Sequence, residues 1–345
     1  MAAEEKVSIR SASRTLLNIG IAAAVIFWLC RRNGAALRAG FAEFDYRCMI
    51  PAAAVVAVTL VTSALRWRSL ADTIGIRLGV FEAISLTMQG YFFSLVIPGG
   101  AIGGDVIKMA ALTRHVRSGS RTEGIVSIVM DRIIGMIALF LTSIVLLLSC
   151  RGIFAGLNIP GADNVPAGPV LWWLFFAASL AGSAAGIAVF FYRVIERLPG
   201  MKQAAAFLDR KSAGKLTRIA NAVDTYRGNL RVLSLWVVVS IFIIHLAPAV
   251  SMFFLLSGVT APTPSSIRFI ATAVVIGNTA GLIPLFPGGI GARDAVVIAL
   301  LASAGYSAEA AGTAQLLATV LMVVFYLTGA LFFIFDRRTV PEVKA

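Results

Sequence analysis

The sequence predicts an all-α membrane protein, a polytopic helix bundle of about six full spans plus two re-entrant helical hairpins that form an inverted repeat. Hydrophobic residues make up 59% of the 345 residues and charged residues only 14%, against roughly 45–50% and 25% in soluble domains. The hydrophobic residues lie in long runs, several of them near or above the roughly 20 residues that cross about 30 Å of hydrocarbon. A Pro-Gly-Gly-x4-Asp element also occurs twice within hydrophobic segments. The runs predict the bundle, and the repeated element predicts the hairpins.

Six apolar runs are predicted to be full spans: 14–30, 49–65, 124–150, 170–192, 233–256 and 313–335. The first run follows basic residues, as in a signal peptide, but Arg31 and Arg32 come directly after it, where a small-residue cleavage site would be expected. We therefore expect it to be retained as a span. Two further stretches, 81–97 and 267–286, run into Pro-Gly-Gly, and a short apolar helix is expected at 295–304.

The distribution of basic residues predicts the orientation in the membrane. Residues 193–231 hold nine basic and three acidic residues, and residues 66–121 hold seven basic residues, whereas 258–264 carry no charge. We expect a multi-pass protein of the bacterial inner (plasma) membrane with both termini in the cytoplasm. The loop 31–47 conflicts with this orientation, because it should be external and yet holds four arginines against two acidic residues.

The formal net charge of +13 would suggest a nucleic-acid partner in a soluble protein. Here the basic residues lie between the apolar runs, so the expected partners are membrane lipids with an anionic headgroup or phosphate, and no nucleic acid is expected. Within the basic connection 193–231, residues 201–230 can form a helix with one apolar and one basic side. Two interpretations stay open: an amphipathic helix on the inner leaflet, or a solvated cytoplasmic hairpin.

The repeated element has seven positions from proline to aspartate in both copies. Its chemistry is carried by Pro98, Gly99, Gly100, Gly103, Gly104 and Asp105 in the first copy, and by Pro287, Gly288, Gly289, Gly291, Arg293 and Asp294 in the second. Proline and paired glycines break a helix and Asp is a good N-cap, so each copy predicts a helix, irregular backbone and a second short helix that starts at the Asp. Interrupted segments at matching places in two halves indicate a transporter's binding site. The alternative is a tight helix turn without a ligand.

The two copies divide a single membrane domain, 1–345, into two halves. Half 1 covers about 49–150 with its hairpin at 81–117, and half 2 covers about 233–335 with its hairpin at 267–304. By the charge distribution, the first hairpin enters from the cytoplasmic side and the second from the external side. Irregular backbone at membrane depth must be buried in protein or line a watery cavity, so we expect the hairpins to meet at a cavity.

Charged residues inside apolar segments extend the predicted substrate-binding site. They are Asp105, Lys108, Asp131, Arg132, Arg293 and Asp294. Such charges are costly, usually paired, and mark substrate or ion paths. We expect Asp131 or Arg132 to pair with a charge from a hairpin, and an Arg or Lys to contact a lipid phosphate; the alternative is a buried structural ion pair. His245, alone in an apolar span, is expected to be a hydrogen-bonded core residue rather than a proton relay.

Enzyme and cofactor motifs are missing from the sequence. The glycines from Gly99 to Gly104 have Walker-like spacing, but Asp105 replaces the required Lys, and there is no GxSxG, HExxH or DxxD-type metal motif. The three cysteines have no CxxC spacing. We expect no enzyme activity, no catalytic residue, no metal and no cofactor.

Several motifs resemble those of the flippase-like, lysylphosphatidylglycerol synthase transmembrane-region family. They are the run 89–100 continuing through Gly103, Gly104, Asp105 and Val106, the run 130–135 (Met-Asp-Arg-Ile-Ile-Gly), the run 285–291 with Arg293 and Asp294, and Arg66-Trp67. The resemblance covers most of the chain and implies a lipid-related role. The family includes the domain that moves aminoacylated phosphatidylglycerol across the bacterial membrane. This chain ends at Ala345 without an aminoacyl-transferase domain, so lysine transfer is not expected.

The leading functional expectation is a flippase-like protein that translocates or binds a phospholipid or a polyprenyl-phosphate-linked lipid. Movement would be passive or ion-coupled, because no ATP site is visible. One alternative is a non-transporting membrane partner of a lipid-modifying enzyme or glycosyltransferase, which would dock through 193–231. Another is a membrane-embedded transferase that uses Asp105 and Asp294 as an acid/base pair. A homo-oligomer stays open.

Overall fold

The computed structural model describes residues 41–97, 101–112, 121–157, 167–192, 215–261, 266–282 and 289–335. Over these ranges the chain is a helical bundle without strands, so the predicted fold class is confirmed. The helices of this part are α1 Met49–Thr73, α2 Val80–Val96, α3 Ala101–Leu112, α4 Arg121–Ser149, α5 Gly168–Phe190, α6 Lys215–Gly228, α7 Leu230–Val239, α8 Ala247–Ser257, α9 Ile267–Ala280, α10 Ala292–Ser303 and α11 Ala308–Phe335. Short 3₁₀ helices cover Tyr46–Cys48 and Arg151–Phe154, and the π-helical segment Ser240–Leu246 joins α7 to α8.

Five helices are long and apolar enough to cross a membrane, and they match five of the six predicted spans. They are Tyr46–Thr73, Arg121–Ser149, Gly168–Phe190, Leu230–Ser257 and Ala308–Phe335. The remaining predicted span, 14–30, lies outside the described residues. The fourth of the five helices is interrupted by the π-helical segment just before Pro248. Because proline lacks an N–H and its ring collides with the preceding turn, a wider π turn is a way to carry it without breaking the span.

The remaining apolar helices form two hairpins, with α2 packed on α3 and α9 packed on α10. At 1.5 Å per residue, α3 and α10 are each about 18 Å long, short of the roughly 30 Å hydrocarbon layer. Within the apolar stretch 267–286, α9 ends at Ala280. The short helix expected at 295–304 is present as α10, but it starts three residues earlier, at Ala292.

The expectation that each aspartate caps a short helix is wrong. Asp105 is the fifth residue of α3, and Asp294 is the third residue of α10, whose N-cap is Gly291 with a φ of 101°. The physical reason is that both carboxylates accept hydrogen bonds from arginine side chains instead of backbone N–H groups. Asp294 still lies in the first turn, where the helix dipole favours a negative charge.

The hairpins enter the bundle from opposite ends. At one end, called the Leu112 end, Leu112 packs against Gly124 at the start of α4 and shares a buried cluster with Ile76, which follows α1. At the other end, called the Ser303 end, Ser303 donates a hydrogen bond to a carbonyl in the 3₁₀ helix that follows α4, and Tyr306 donates to Ser266 just before α9. Helix α4 runs from the first end to the second, so α2–α3 and α9–α10 are inverted relative to each other.

The basic connection is described only in its last part, where α6 covers residues 215–228 of the predicted amphipathic helix; residues 193–214 lie outside the described residues. The apolar side of α6 buries Ala222, Val223 and Tyr226 in a core with Leu70. The Tyr226 hydroxyl donates to the Leu70 carbonyl at 2.9 Å, and burial raises the pKa of this hydroxyl. A helix with one apolar side is thus present, but that side packs on protein rather than lying on lipid.

Candidate functional site

A cavity of about 350 Å³, with polar side chains set in a mostly apolar wall, lies between the two hairpins and the spans around them. Its walls come from α1, α2, α4, the π-helical segment, α8, α9, α10 and α11. The polar and aromatic side chains that line it are Thr59, Tyr91, Arg132, His245, Ser251, Asn278, Arg293, Gln315 and Tyr326. Both arginines that the sequence singled out line this cavity, one from each half. A larger groove of about 660 Å³ opens between α4, α5, α6 and α7, and Asp224 and Arg227 of α6 are the charged residues in its wall.

Arg132 and Asp105 form a two-pronged ion pair between α4 and the first hairpin. Arg132 Nε lies 2.7 Å from Asp105 Oδ2, and Arg132 Nη2 lies 2.8 Å from Asp105 Oδ1. The expected pairing of Asp131 or Arg132 with a hairpin charge is thus confirmed for Arg132. Paired N–H···O bonds of this kind fix the plane of the guanidinium as well as its position. The Arg132 side chain remains 41% exposed, so it is held by the hairpin while still facing open space.

Asp131 points away from Arg132 and pairs with Arg66 on α1. Arg66 Nε lies 2.7 Å from Asp131 Oδ1, and Arg66 Nη1 donates to Ser240 Oγ at 3.0 Å. The guanidinium packs over Gly135, where an added Cβ would come within 3.1 Å of two of its nitrogens. Both charges are buried and neither lines the cavity, which is the geometry of a structural ion pair. The site residues chosen from the sequence did not include Arg66, although an arginine near the end of an apolar run was a usable signal.

Lys108 is buried on α3 beside this pair. Its ammonium lies 3.6 Å from the centre of the Trp67 ring, a cation–π contact. Trp67 in turn donates from Nε1 to Ser127 Oγ at 3.2 Å, which fixes the ring. Half 1 therefore gathers three cationic side chains (Arg66, Lys108, Arg132) around two carboxylates (Asp105, Asp131), a formal net charge of +1.

The second half has a more compact network around Arg293 and Asp294. Arg293 donates from Nε and Nη2 to Asp294 Oδ1, both at 3.1 Å, and from Nη2 to Thr319 Oγ1 at 2.9 Å. Asp294 Oδ1 also accepts from Gln315 Nε2 at 2.7 Å and from Thr319 at 3.1 Å. Gln315 and Thr319 are one turn apart on α11, so the last span supplies one polar stripe to this network. The sequence reasoning missed Gln315, although polar residues at i and i+4 in an apolar span were a detectable signal.

A model of the family described as the lysylphosphatidylglycerol synthase TM region matches residues 15–330. The chain belongs to this family. The match includes both hairpins, every charged residue of the site and all the walls of the cavity, and it confirms the resemblance seen in the motifs. The protein is therefore a membrane protein of a lipid-related family. A comparison with curated proteins found no significant match.

In this family member the two copies of the repeated element differ at one informative position. The second copy has Arg293 before its aspartate, and the first has Gly104. A Cβ at Gly104 would collide with the Gly90 carbonyl oxygen of α2, so close packing of the first hairpin excludes any side chain there. Arg132 on α4 supplies the missing guanidinium instead. In the second copy, Gly289 and Gly291 have φ values of 74° and 101°, which favour glycine.

Six predicted site residues remain to be placed. Gly103 lies in the first turn of α3 and is buried. Pro98, Gly99, Gly100, Pro287 and Gly288 lie outside the described residues. His245 Nε2 is within hydrogen-bond distance, 3.0 Å, of the Gly135 carbonyl, as expected for a hydrogen-bonded core histidine. Within the described ranges, no three His, Cys, Asp or Glu side chains come together as a metal site.

Proposed function

We propose that this protein moves lipids with a phosphate-bearing headgroup between the leaflets of the bacterial inner membrane. The lipid would be a phospholipid or a polyprenyl-phosphate-linked lipid, and the Leu112 end and both termini would face the cytoplasm. The observation that carries the proposal is the cavity between two oppositely inserted hairpins, with an arginine from each half in its wall. Guanidinium groups bind phosphate through paired hydrogen bonds, and membership of a lipid-related family agrees with such a ligand.

In the proposed mechanism only the headgroup enters the cavity, while the acyl or prenyl chains stay in the bilayer. The polar lining then replaces the water that a charged headgroup loses on leaving the membrane surface, which lowers the cost of crossing the apolar layer. The two hairpins would open the cavity alternately, since each closes it from a different end. Inverted repeats that meet at the middle of the membrane support this kind of alternating access in transporters.

Filling the cavity should slow lipid movement. Ala318 of α11 lines the cavity, and Val320, two residues later on the same helix, is 53% exposed. In proteoliposomes carrying a fluorescent phospholipid, we expect Ala318→Phe to lower the rate at which lipid becomes accessible to an impermeant quencher by about tenfold or more. The phenyl ring would occupy space that the headgroup needs, and about 1.4 kcal/mol of added barrier is a tenfold loss of rate. Val320→Phe adds the same bulk outside the cavity and should leave the rate unchanged.

The wild-type protein itself is the first control of this experiment. If it moves no tested phospholipid or polyprenyl-phosphate lipid faster than protein-free liposomes do, the transport proposal is rejected. Equal rates for wild type, Ala318→Phe and Val320→Phe would place lipid movement elsewhere on the protein and remove the cavity from the mechanism.

A further inference from the structure

The two cavity arginines are held in different ways. All three nitrogens of Arg293 are engaged: Nε with Asp294, Nη2 with Asp294 and Thr319, and Nη1 with Met322 Sδ at 2.9 Å. Its side chain is 14% exposed. Arg132 uses only Nε and Nη2, both on Asp105, and its Nη1 has no partner among the described residues. The Arg132 side chain is 41% exposed, and of the two cavity arginines it is the one with an N–H donor left for a ligand.

We propose that Arg132 is the residue that binds the headgroup phosphate, through Nη1, and that Asp105 is a positioning residue that aims it. Arg293 is then a scaffold residue, which ties α10 to α11 and does not contact the headgroup. This assignment rests on the proposed lipid-binding cavity, but it concerns selectivity for the headgroup and does not require transport.

The charge distribution favours the same side of the cavity. The charges of Arg293 and Asp294 cancel in the half 2 network, whereas the half 1 cluster described above holds three cationic side chains against two carboxylates. Lys108 is the cation left over, since the carboxylates are taken by Arg66 and Arg132. The formal excess of one positive charge thus lies in half 1, on the helix that also carries Asp105, and an anionic group in the cavity is attracted toward that half.

Asp105 has two opposing effects on an incoming phosphate. Its paired hydrogen bonds hold the guanidinium plane and leave Nη1 as the nitrogen without a partner among the described residues. Its charge, however, repels the phosphate and competes for Arg132. Removing only the charge should therefore strengthen anion binding. If Arg132 binds the phosphate, this gain should disappear when Arg132→Gln is added to Asp105→Asn. Asp105→Asn is the variant that isolates this effect, because it keeps the size of the side chain and one acceptor oxygen.

The test measures bound lipid rather than lipid movement. Purified full-length protein is equilibrated in micelles that contain equal amounts of phosphatidylglycerol and phosphatidylcholine, and the retained lipids are quantified by mass spectrometry. We expect wild type to prefer phosphatidylglycerol and Arg132→Gln to lose that preference. Asp105→Asn should raise it several-fold and up to on the order of tenfold, the scale of removing one nearby like charge. Arg293→Gln is combined with Asp294→Asn, so that no buried charge loses its partner, and this double variant should keep the wild-type ratio if Arg293 is a scaffold residue.

Two further variants keep the test decisive. Arg132→Lys retains the positive charge but cannot form the paired hydrogen bonds of a guanidinium, so we expect an intermediate preference for phosphatidylglycerol. This variant replaces Arg132→Gln in the comparison if Arg132→Gln does not fold. Arg231→Gln removes an exposed arginine at the start of α7 and should change nothing. Variants are compared when they remain monodisperse and folded at the temperature of the binding measurement. A preference that survives in Arg132→Gln, disappears in the Arg293→Gln/Asp294→Asn variant, or falls in Asp105→Asn overturns the assignment.

The outcomes separate this site from other ligands and from the transport proposal. Excess inorganic phosphate should not displace phosphatidylglycerol; if it empties the site, the ligand is free phosphate and the lipid assignment fails. If the protein moves no lipid but shows the Arg132-dependent preference, the binding site is supported and the proposed transport function is rejected. If the protein moves lipid without that dependence, the transport function is supported and the assignment of Arg132 is rejected.

Discussion

Arg66 and Asp131 illustrate how strongly a single buried charge depends on its partner. Both side chains are almost completely buried, and they join α1 to α4 at 2.7 Å. Breaking a buried pair by removing one partner leaves an uncompensated charge and costs about 3–5 kcal/mol. We expect Arg66→Met to lower the thermal unfolding midpoint in detergent by roughly 10 °C, the scale of such a loss in a protein of this size.

A double variant distinguishes the free-energy cost of an unpaired buried charge from the free energy that the ion pair itself contributes to folding. Arg66→Met combined with Asp131→Leu leaves no unpaired charge, so it should recover much of the loss, because apolar replacements of buried pairs are often nearly neutral. Arg231→Met is the matched control, since Arg231 is exposed and should tolerate the same change. A double variant less stable than Arg66→Met alone would contradict this account.

At this scale the sequence identifies charges but not their partners. Asp131 and Arg132 are adjacent, and neighbouring helix positions point about 100° apart, so the two side chains face different helices. Their partners, Arg66 and Asp105, are 65 and 27 positions away. Which of them each residue meets is decided by how α1, α3 and α4 pack together. Composition and spacing do not contain that information.

The first hairpin depends on a backbone contact that only glycine permits. A Cβ at Gly104 would collide with the Gly90 carbonyl oxygen, whereas one at Gly152 meets nothing within 4 Å. Since backbone cannot move aside as a side chain can, we expect Gly104→Ala to destabilise the protein by about 1–3 kcal/mol. Gly152→Ala is the control and should be neutral. Thermal unfolding in detergent measures both.

The same substitution should affect the site, because moving α3 moves Asp105. Gly104→Ala is therefore expected to loosen the Arg132 fork and weaken the phosphatidylglycerol preference even where the protein folds. A variant with wild-type stability and wild-type lipid preference would show that the close approach of α2 and α3 is not required.

Helices were easier to predict than their ends. The length of an apolar run is a direct consequence of membrane thickness, so each of the five described spans overlaps a predicted one, and the end of the first lies furthest from its prediction, at Thr73 rather than 65. The N-cap expectation for Asp105 and Asp294 was wrong because capping preference is a local property. Both carboxylates instead form ion pairs, with Arg132 and Arg293, and these pairs depend on how the helices pack together.

For the whole molecule, the loop 31–47 was the weak point of the predicted orientation. Its last residues are described, and Phe44 packs against Gly258 while the Asp45 backbone N–H donates to the Gly258 carbonyl. Gly258 follows α8 at the start of the uncharged loop 258–264. The arginine-containing loop and the uncharged loop are thus at the same end of the bundle. The inversion of the hairpins now rests on packing contacts and no longer on charge alone.

Which end faces the cytoplasm is a separate prediction that labelling can test. Arg77 lies at the Leu112 end and Thr260 at the Ser303 end, and both are exposed. In a variant without the native cysteines, we expect Thr260→Cys to react with an impermeant maleimide added outside spheroplasts. Arg77→Cys should react only after the membrane is permeabilised. The physical reason is that cytoplasmic loops retain excess Arg and Lys, and the basic segments flank the Leu112 end.

The outcomes of this labelling bear differently on the two structural claims. If Arg77→Cys reacts from outside and Thr260→Cys does not, the orientation of the protein in the membrane is opposite to the predicted one. The hairpins would still enter from opposite ends, so alternating access would remain possible. Labelling of both cysteines from the same side would contradict the inverted arrangement itself. In that case a cavity reached alternately from the two membrane faces would lose its structural basis.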